Sequence, residues 1–201
     1  MSTTMLYGLL DVGSAEERQF CMIDELPSGT GLERVAAANP TRGEPAAHLY
    51  PADARVFMSP KFGGRELADF VSNTEGFLIV HKRVKEILER VNRGDAEYIP
   101  LAIFNHKRRL ASAEYFIVNP LGTHDVLDLK KSTIEWDDGD VVHVEKMVLD
   151  PKKLKKAPDL FRPKEDPEAY IISQRIATEL RKLSPPNTNR HYLDYFEVTI
   201  G

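Results

Sequence analysis

Between Val80 and Val118 the hydrophobic period of the chain switches from helical to extended within a few residues, and that switch does most to narrow the choice of fold. Val80, Val84, Ile87, Leu88 and Val91 fall on one helical stripe, while Lys82, Arg83, Lys85, Glu86 and Arg90 face away from it, as in an amphipathic helix laid on a core. Asn92, Arg93 and Gly94 mark its end. DAEYIPLAIFN and SAEYFIVNPLG follow, short runs of β-branched and aromatic residues around the polar, basic turn HKRRLA, and they predict a strand pair. Helices alternating with hairpin-linked strands in this way predict an α+β fold, its predominantly antiparallel sheet partly covered by two main helices.

The same alternation runs on toward the C-terminus. VLDL and STIEW lead into DDGD, where Asp138-Gly139 supplies the two positive-φ residues of a type I′ hairpin, and VVHVEKMVLD returns as the partner strand. DPKKLKKAPDLFRP predicts a short helical turn begun at Asp150, with Pro151 at the first helical position, and ended before Pro158. EAYIISQRIATELRKL predicts the second helix. Its stripe takes Ile171 or Ile172, then Ile176, Leu180 and Leu183, with Ser173 as the cap if AYII is a strand. The two helices are thus placed at Val80–Val91 and Ser173–Leu183, and HYLDYFEVTI alternates well enough to close a sheet.

The N-terminal third is patterned differently. MLYGLLDV and QFCMIDEL read as strands, whereas Pro27, Pro40, Pro45 and Pro51 forbid a long uninterrupted helix and leave room only for about two turns in GLERVAAA. No repeat or sharp break in composition divides the 201 residues. One domain is expected, with residues 1–64 as its loop-rich N-terminal part and 65–201 as its α+β core.

Charge and cysteine content exclude several function classes. A net charge of −4 and a pI near 5.9 give no global basic field for nucleic acid or an anionic membrane, and leave a basic or neutral protein as the fitting partner. The basic runs HKRV, HKRRL and KKLKK alternate with acidic segments and read as solvated faces. The lone Cys21 rules out an intramolecular disulfide framework and a cysteine-based zinc site, and fits a cytoplasmic protein. The apolar run Met5–Leu10 is too short for a signal segment or a membrane span.

Catalytic signatures are missing where they would be sought. The acidic cluster Glu135, Asp137, Asp138 and Asp140 fails as a calcium loop: counted from Asp137, it puts Val142 where glycine is required and Val148 where the bidentate glutamate belongs. A solvated hairpin tip is the simpler reading. GTGLER has Arg34 in place of the third glycine of a dinucleotide fingerprint, and GGRE at Gly63 lacks the Lys-Ser/Thr end of a phosphate loop. The six histidines show no HxH or HExxH spacing, Cys21 reads as a small core hydrophobe, and no GxSxG elbow occurs. No catalytic residue, metal or cofactor is expected. Trp136, beside the hairpin turn, is either a core anchor or an exposed hot spot, with core or cross-strand packing preferred.

One resemblance organises these elements. The helix IVHKRVKEILERV, the strands IPLAIF and EYFIVNPL, the aspartate of VLDL, the serine of KKSTIEW, the run VEKMVLDPKKL, the phrase DLFRP and the final helix SQRIATELRKL occur in an order similar to that of a bacterial immunity-protein family typified by a myxobacterial protein. The similarity spans Arg65 to Val198, and its matching positions include Asn119, Asp128, Ser132, Val148, Leu149, Asp150 and Phe161. It implies a non-catalytic cytoplasmic protein that binds and silences one cognate toxin of a polymorphic-toxin or type VI secretion locus. Glu135, Trp136, Asp137, Asp138 and Asp140 are then the candidate partner-binding residues, the acids suiting a basic toxin that degrades nucleic acid. Two alternatives remain at this point: a generic interaction scaffold, and a small-ligand protein using residues 28–60 as a lid, with His48, Tyr50 and Arg55 foremost.

Overall fold

The computed structural model describes residues 7–10, 19–26, 32, 40–183, 196–197 and 199–200, and they form the expected α+β architecture. The strands are β1 (Tyr7–Leu10), β2 (Met22–Ile23), β3 (Arg55–Phe57), β4 (Phe70–Asn73), β5 (Leu78–His81), β6 (Ala96–Phe104), β7 (Leu110–Pro120), β8 (Thr133–Asp137), β9 (Asp140–Lys146), β10 (Val148–Leu149), β11 (Leu160–Phe161), β12 (Tyr170–Ser173), β13 (Phe196–Glu197) and β14 (Thr199–Ile200); the helices are α1 (Lys82–Val91) and α2 (Gln174–Leu180). A six-stranded sheet runs β2-β4-β5-β7-β6-β3, antiparallel at its centre and parallel at both edges. A four-stranded antiparallel sheet runs β11-β12-β1-β13. Of the calls on the N-terminal third, the two turns expected in GLERVAAA lie outside the described residues except for buried Leu32.

Strand alternation sends neighbouring residues to opposite faces, and here both faces of the six-stranded sheet are covered. Phe70, Leu78, Val80 and Val118 face one way, toward α1 and α2. Val71, Ile79 and Ile117 face the other way and join Ile99, Leu101, Ile103, Val56, Cys21 and Leu32. The first cluster also takes Leu10, Leu160, Tyr170 and Ile172 from the four-stranded sheet, so both sheets and both helices share it. A third cluster lies on the far side, where Tyr7, Phe161 and Ile171 meet Val126, Leu127, Leu149 and Leu154.

Helix α1 starts later than its stripe implies. Val80 keeps the helical spacing to Val84 and packs in the same cluster, but it is a strand residue, paired with Phe70 on one side and Phe116 on the other. The β-branched pair Ile79-Val80 extends the sheet, and His81 caps the helix by accepting a hydrogen bond from the Arg83 backbone N–H at Nδ1, 3.4 Å away. Arg83 then reaches back to the buried Asp69 carboxylate through its Nε and Nη2. At α2 the residues YIIS are indeed a strand and Ser173 occupies the cap position, yet its hydroxyl caps nothing: it donates to Asp159 Oδ1 at 2.7 Å. Asp159 is fully buried and also receives Arg93 at 2.7 Å and Arg175 at 3.3 Å, tying the end of α1 to the start of α2.

Two contacts fasten the loop-rich part. Glu97 of β6 accepts from the backbone N–H groups of Ala46 (2.8 Å) and Ala47 (3.2 Å) at a short 3₁₀ turn, and from Asn119 Nδ2 (3.0 Å), which also donates to Glu44 O. Charge-assisted bonds of this kind are the stronger ones. Glu97→Ala is expected to cost about 2 kcal/mol and to speed proteolysis selectively within residues 40–54; an unchanged cleavage pattern would refute the anchoring role. Elsewhere, a Cβ on Gly64 would lie 1.8 Å from the Phe20 carbonyl oxygen, beside the bridge that joins Phe20 to Glu66. Backbone cannot yield as a flexible side chain does, so Gly64→Ala should destabilise by at least about 2 kcal/mol in thermal denaturation.

Candidate functional site

The acidic cluster is carried on a projecting two-stranded arm. β8 and β9 pair with each other and with no other described strand. Asp138 and Gly139 at the tip both have positive φ, 50° and 92°, as the Asp-Gly pair predicts. The partner strand is shorter than VVHVEKMVLD implies: β9 ends at Lys146, Met147 interrupts it, and Val148-Leu149 leave to pair in parallel with β14.

Positions that carry the family resemblance build the root of this arm. The Val148 carbonyl accepts from Asp128 N at 2.8 Å and from Ser132 Oγ at 3.3 Å, while Val148 N donates to Ser132 Oγ at 3.0 Å. Asp128 O accepts in turn from the backbone of Lys131 and Ser132, and Asp150 N donates to Val126 O. Ile134 at the base packs on the third hydrophobic cluster. The recognisable residues are therefore scaffold, and the arm is what the scaffold presents.

The arm has two unlike faces. Ile134 lies opposite Val144 and Trp136 opposite Val141, which gives one apolar face. Alternation puts Glu135, paired with His143, and Asp137, paired with Asp140, on the other. The structure thus brings Glu135, Asp137 and Asp140 together, sets Asp138 at the tip, and places Trp136 on the reverse side. Of the two placements preferred for Trp136, the cross-strand one is met, opposite Val141, and the core one is not, since half of its surface is exposed (50%). Val142 (60% exposed) and Leu129 at the root (48%) were missed by the sequence reading. A register shift between Glu135 and Trp136 leaves Val142 as the extra residue of a bulge, and no pattern in VVHVEK marks it.

Charge is distributed unevenly. Of the chain's 31 acidic and 27 basic residues, the arm from Thr133 to Lys146 holds five and one, leaving 26 of each elsewhere. The hairpin thus carries a local net charge of −4, equal to that of the whole chain.

Other candidates have quieter surroundings. Cys21 is buried, and burial pushes its thiol up to about 12, so it carries no thiolate at neutral pH. His48 is exposed on the 3₁₀ turn, Tyr50 packs partly buried against the second cluster with its hydroxyl pushed upward by burial, and Arg55 is exposed on β3. A cleft of about 540 Å³ opens nearby, but its lining, which includes Asp24, Phe57, Ser59, His106 and Arg108, contains none of the three. Among the described residues no group of three His, Cys, Asp or Glu side chains is placed to hold a metal, and no helix is long and apolar enough to cross a membrane.

The immunity protein family Imm11 matches residues 19–194 of this chain. The chain belongs to that family. The Imm11 match takes in the arm, its root, both helices and the N-terminal strands β2 and β3, and so reaches well upstream of the Arg65 boundary inferred from sequence order. No curated protein matches the chain.

Proposed function

We propose that this Imm11 member neutralises a cognate secreted toxin by direct contact, without chemistry of its own, and that the β8–β9 arm is the principal contact. The observation that carries the reading is the concentration of five acids against one base on an exposed arm that lies within the stretch matched to the family. A charged, solvent-exposed hairpin steers association with a basic partner, and an exposed tryptophan is the kind of residue on which binding energy concentrates. The partner would present a cationic cleft, as a nucleic-acid-degrading toxin does, with Glu135, Asp137, Asp138 and Asp140 standing where phosphates would lie. Such a protein works in the cytoplasm of the toxin-producing cell or its kin, beside polymorphic-toxin or type VI effectors.

The test is a pull-down of tagged protein from native lysate, followed by expression of the recovered partner with and without this chain. A stoichiometric partner that kills alone and is harmless in co-expression supports the proposal. Recovery of no toxic partner, or failure of rescue with both proteins well expressed, refutes it.

A further inference from the structure

A surface of opposite charge lies beside the root of the arm. After β10 the chain enters a 3₁₀ turn, Lys153–Lys156, and two adjoining clefts of about 350 and 340 Å³ flank it, sharing His124 and Lys156. Arg93 and Lys155 line the first beside Asp95, Lys152 and Lys153 the second beside Asp125, so with the shared Lys156 cations outnumber acids. Lys153 is bound to Asp125 at 2.7 Å and Arg93 to Asp159. Lys152, Lys155 and Lys156 are exposed and make no ion pair among the described residues. The chain as a whole has no excess of positive charge, so this groove is a local concentration of it.

The same chain carries a complement to the groove. The arm is a narrow acidic ribbon, and its strand β8, five residues long, spans about 17 Å. Of the six large hydrophobic side chains exposed among the described residues, Leu129, Trp136 and Val142 lie on the arm or at its root. Groove and root are neighbours, since β10 alone separates β9 from the lysine-bearing turn. Two copies related by a two-fold axis can therefore each extend an arm past the other's root to the other's groove, making two equal contacts and closing the assembly.

We propose that a second copy of this chain occupies the groove: the protein self-associates reciprocally, Asp137, Asp138 and Asp140 of each arm seated against Lys152, Lys155 and Lys156 of the other copy. The toxin then competes with a second copy for the arm, and the dimer is the stored form of the inhibitor. The self-association itself requires no toxin, so its failure and that of the proposed function are separable.

Sedimentation equilibrium of the purified chain tests this at about 50 mM and about 500 mM salt, which respectively lengthen and shorten the reach of exposed charges. The expected result is a dimer at low salt whose Kd rises at least tenfold at high salt. Lys155→Glu/Lys156→Glu and Asp137→Lys/Asp140→Lys should each weaken it by roughly tenfold or more, since each reverses the charge of one side of the contact. Mixing the two variants should restore association, because each reversed surface meets its complement. Circular dichroism confirms that both variants are folded. A monomer throughout the accessible concentration range at low salt, or a dimer indifferent to both variants, overturns the proposal. The lysine variant lies off the arm, so toxin neutralisation by it reports on the arm's function separately.

Discussion

Replacing Tyr170 with phenylalanine is expected to lower the unfolding free energy by about 3 to 5 kcal/mol, although only one oxygen atom is removed. That oxygen joins three segments. It accepts from Leu78 N at 3.1 Å and from Arg162 Nη2 at 2.8 Å, and donates to Gly76 O at 2.8 Å. Arg162 is buried, its guanidinium 4.1 Å from the centre of the Tyr170 ring, with Nη1 donating to Pro167 O at 2.7 Å. Burial pulls its pKa below the usual arginine value, so every donor that loses an acceptor here leaves a charge less well solvated. In Tyr170→Phe the Leu78 N–H and Arg162 Nη2 lose this acceptor where water does not reach, and each such loss costs about 1–3 kcal/mol. The midpoint of urea unfolding should fall with the slope unchanged. A shift of less than about 0.5 kcal/mol would show that other groups take over the role of the hydroxyl.

Substitutions on the arm should do the reverse, leaving the fold intact and removing function. Trp136→Ala combined with Asp137→Lys and Asp140→Lys alters only exposed side chains and spares the positive-φ turn residues, so stability should stay within about 0.5 kcal/mol of the parent. Affinity for the toxin is expected to drop at least a hundredfold, about 2.7 kcal/mol. The components separate kinetically: the aspartate changes should slow association and flatten its salt dependence, while Trp136→Ala should mainly speed dissociation. Surface plasmon resonance against the captured toxin reads both. Unchanged affinity in the triple variant would remove the arm from the binding surface.

How much of this was legible depended on how local the signal was. The Asp138-Gly139 turn and the face of α1 from Val84 to Val91 are set by neighbours within a few residues, and both appear as the sequence predicts. Val80 was misplaced because strand and helix happen to direct it into the same cluster, so its spacing to Val84 carries no information about which element holds it. The end of β9 at Lys146 is determined by the departure of Val148 toward β14, a partner far along the chain, and VEKMVL reads as one strand without it. For Trp136 the residue type argued for packing in the core or across the strand; the hairpin supplies the cross-strand neighbour Val141, while core packing depends on elements distant in sequence, and no other described strand pairs with the arm. The acids themselves were legible as residues; that they share one exposed arm has meaning only once β8 and β9 are seen to pair with no other described strand.

The pairing of β1 with β12, Tyr7 opposite Ser173, has a consequence for the order of events during synthesis. Contacts between distant parts of a chain form slowly, since the closing loop must be ordered before the contact rewards it, and at about 5–20 residues per second the ribosome delivers β12 many seconds after β1. The four-stranded sheet, and with it the cluster shared by both sheets and both helices, must wait until β12 has been made. The arm, a hairpin closed by two residues, forms within microseconds of emerging. The proposed contact surface is thus closed by neighbouring residues alone, while the sheet that seats β1 cannot form until β12 has been made.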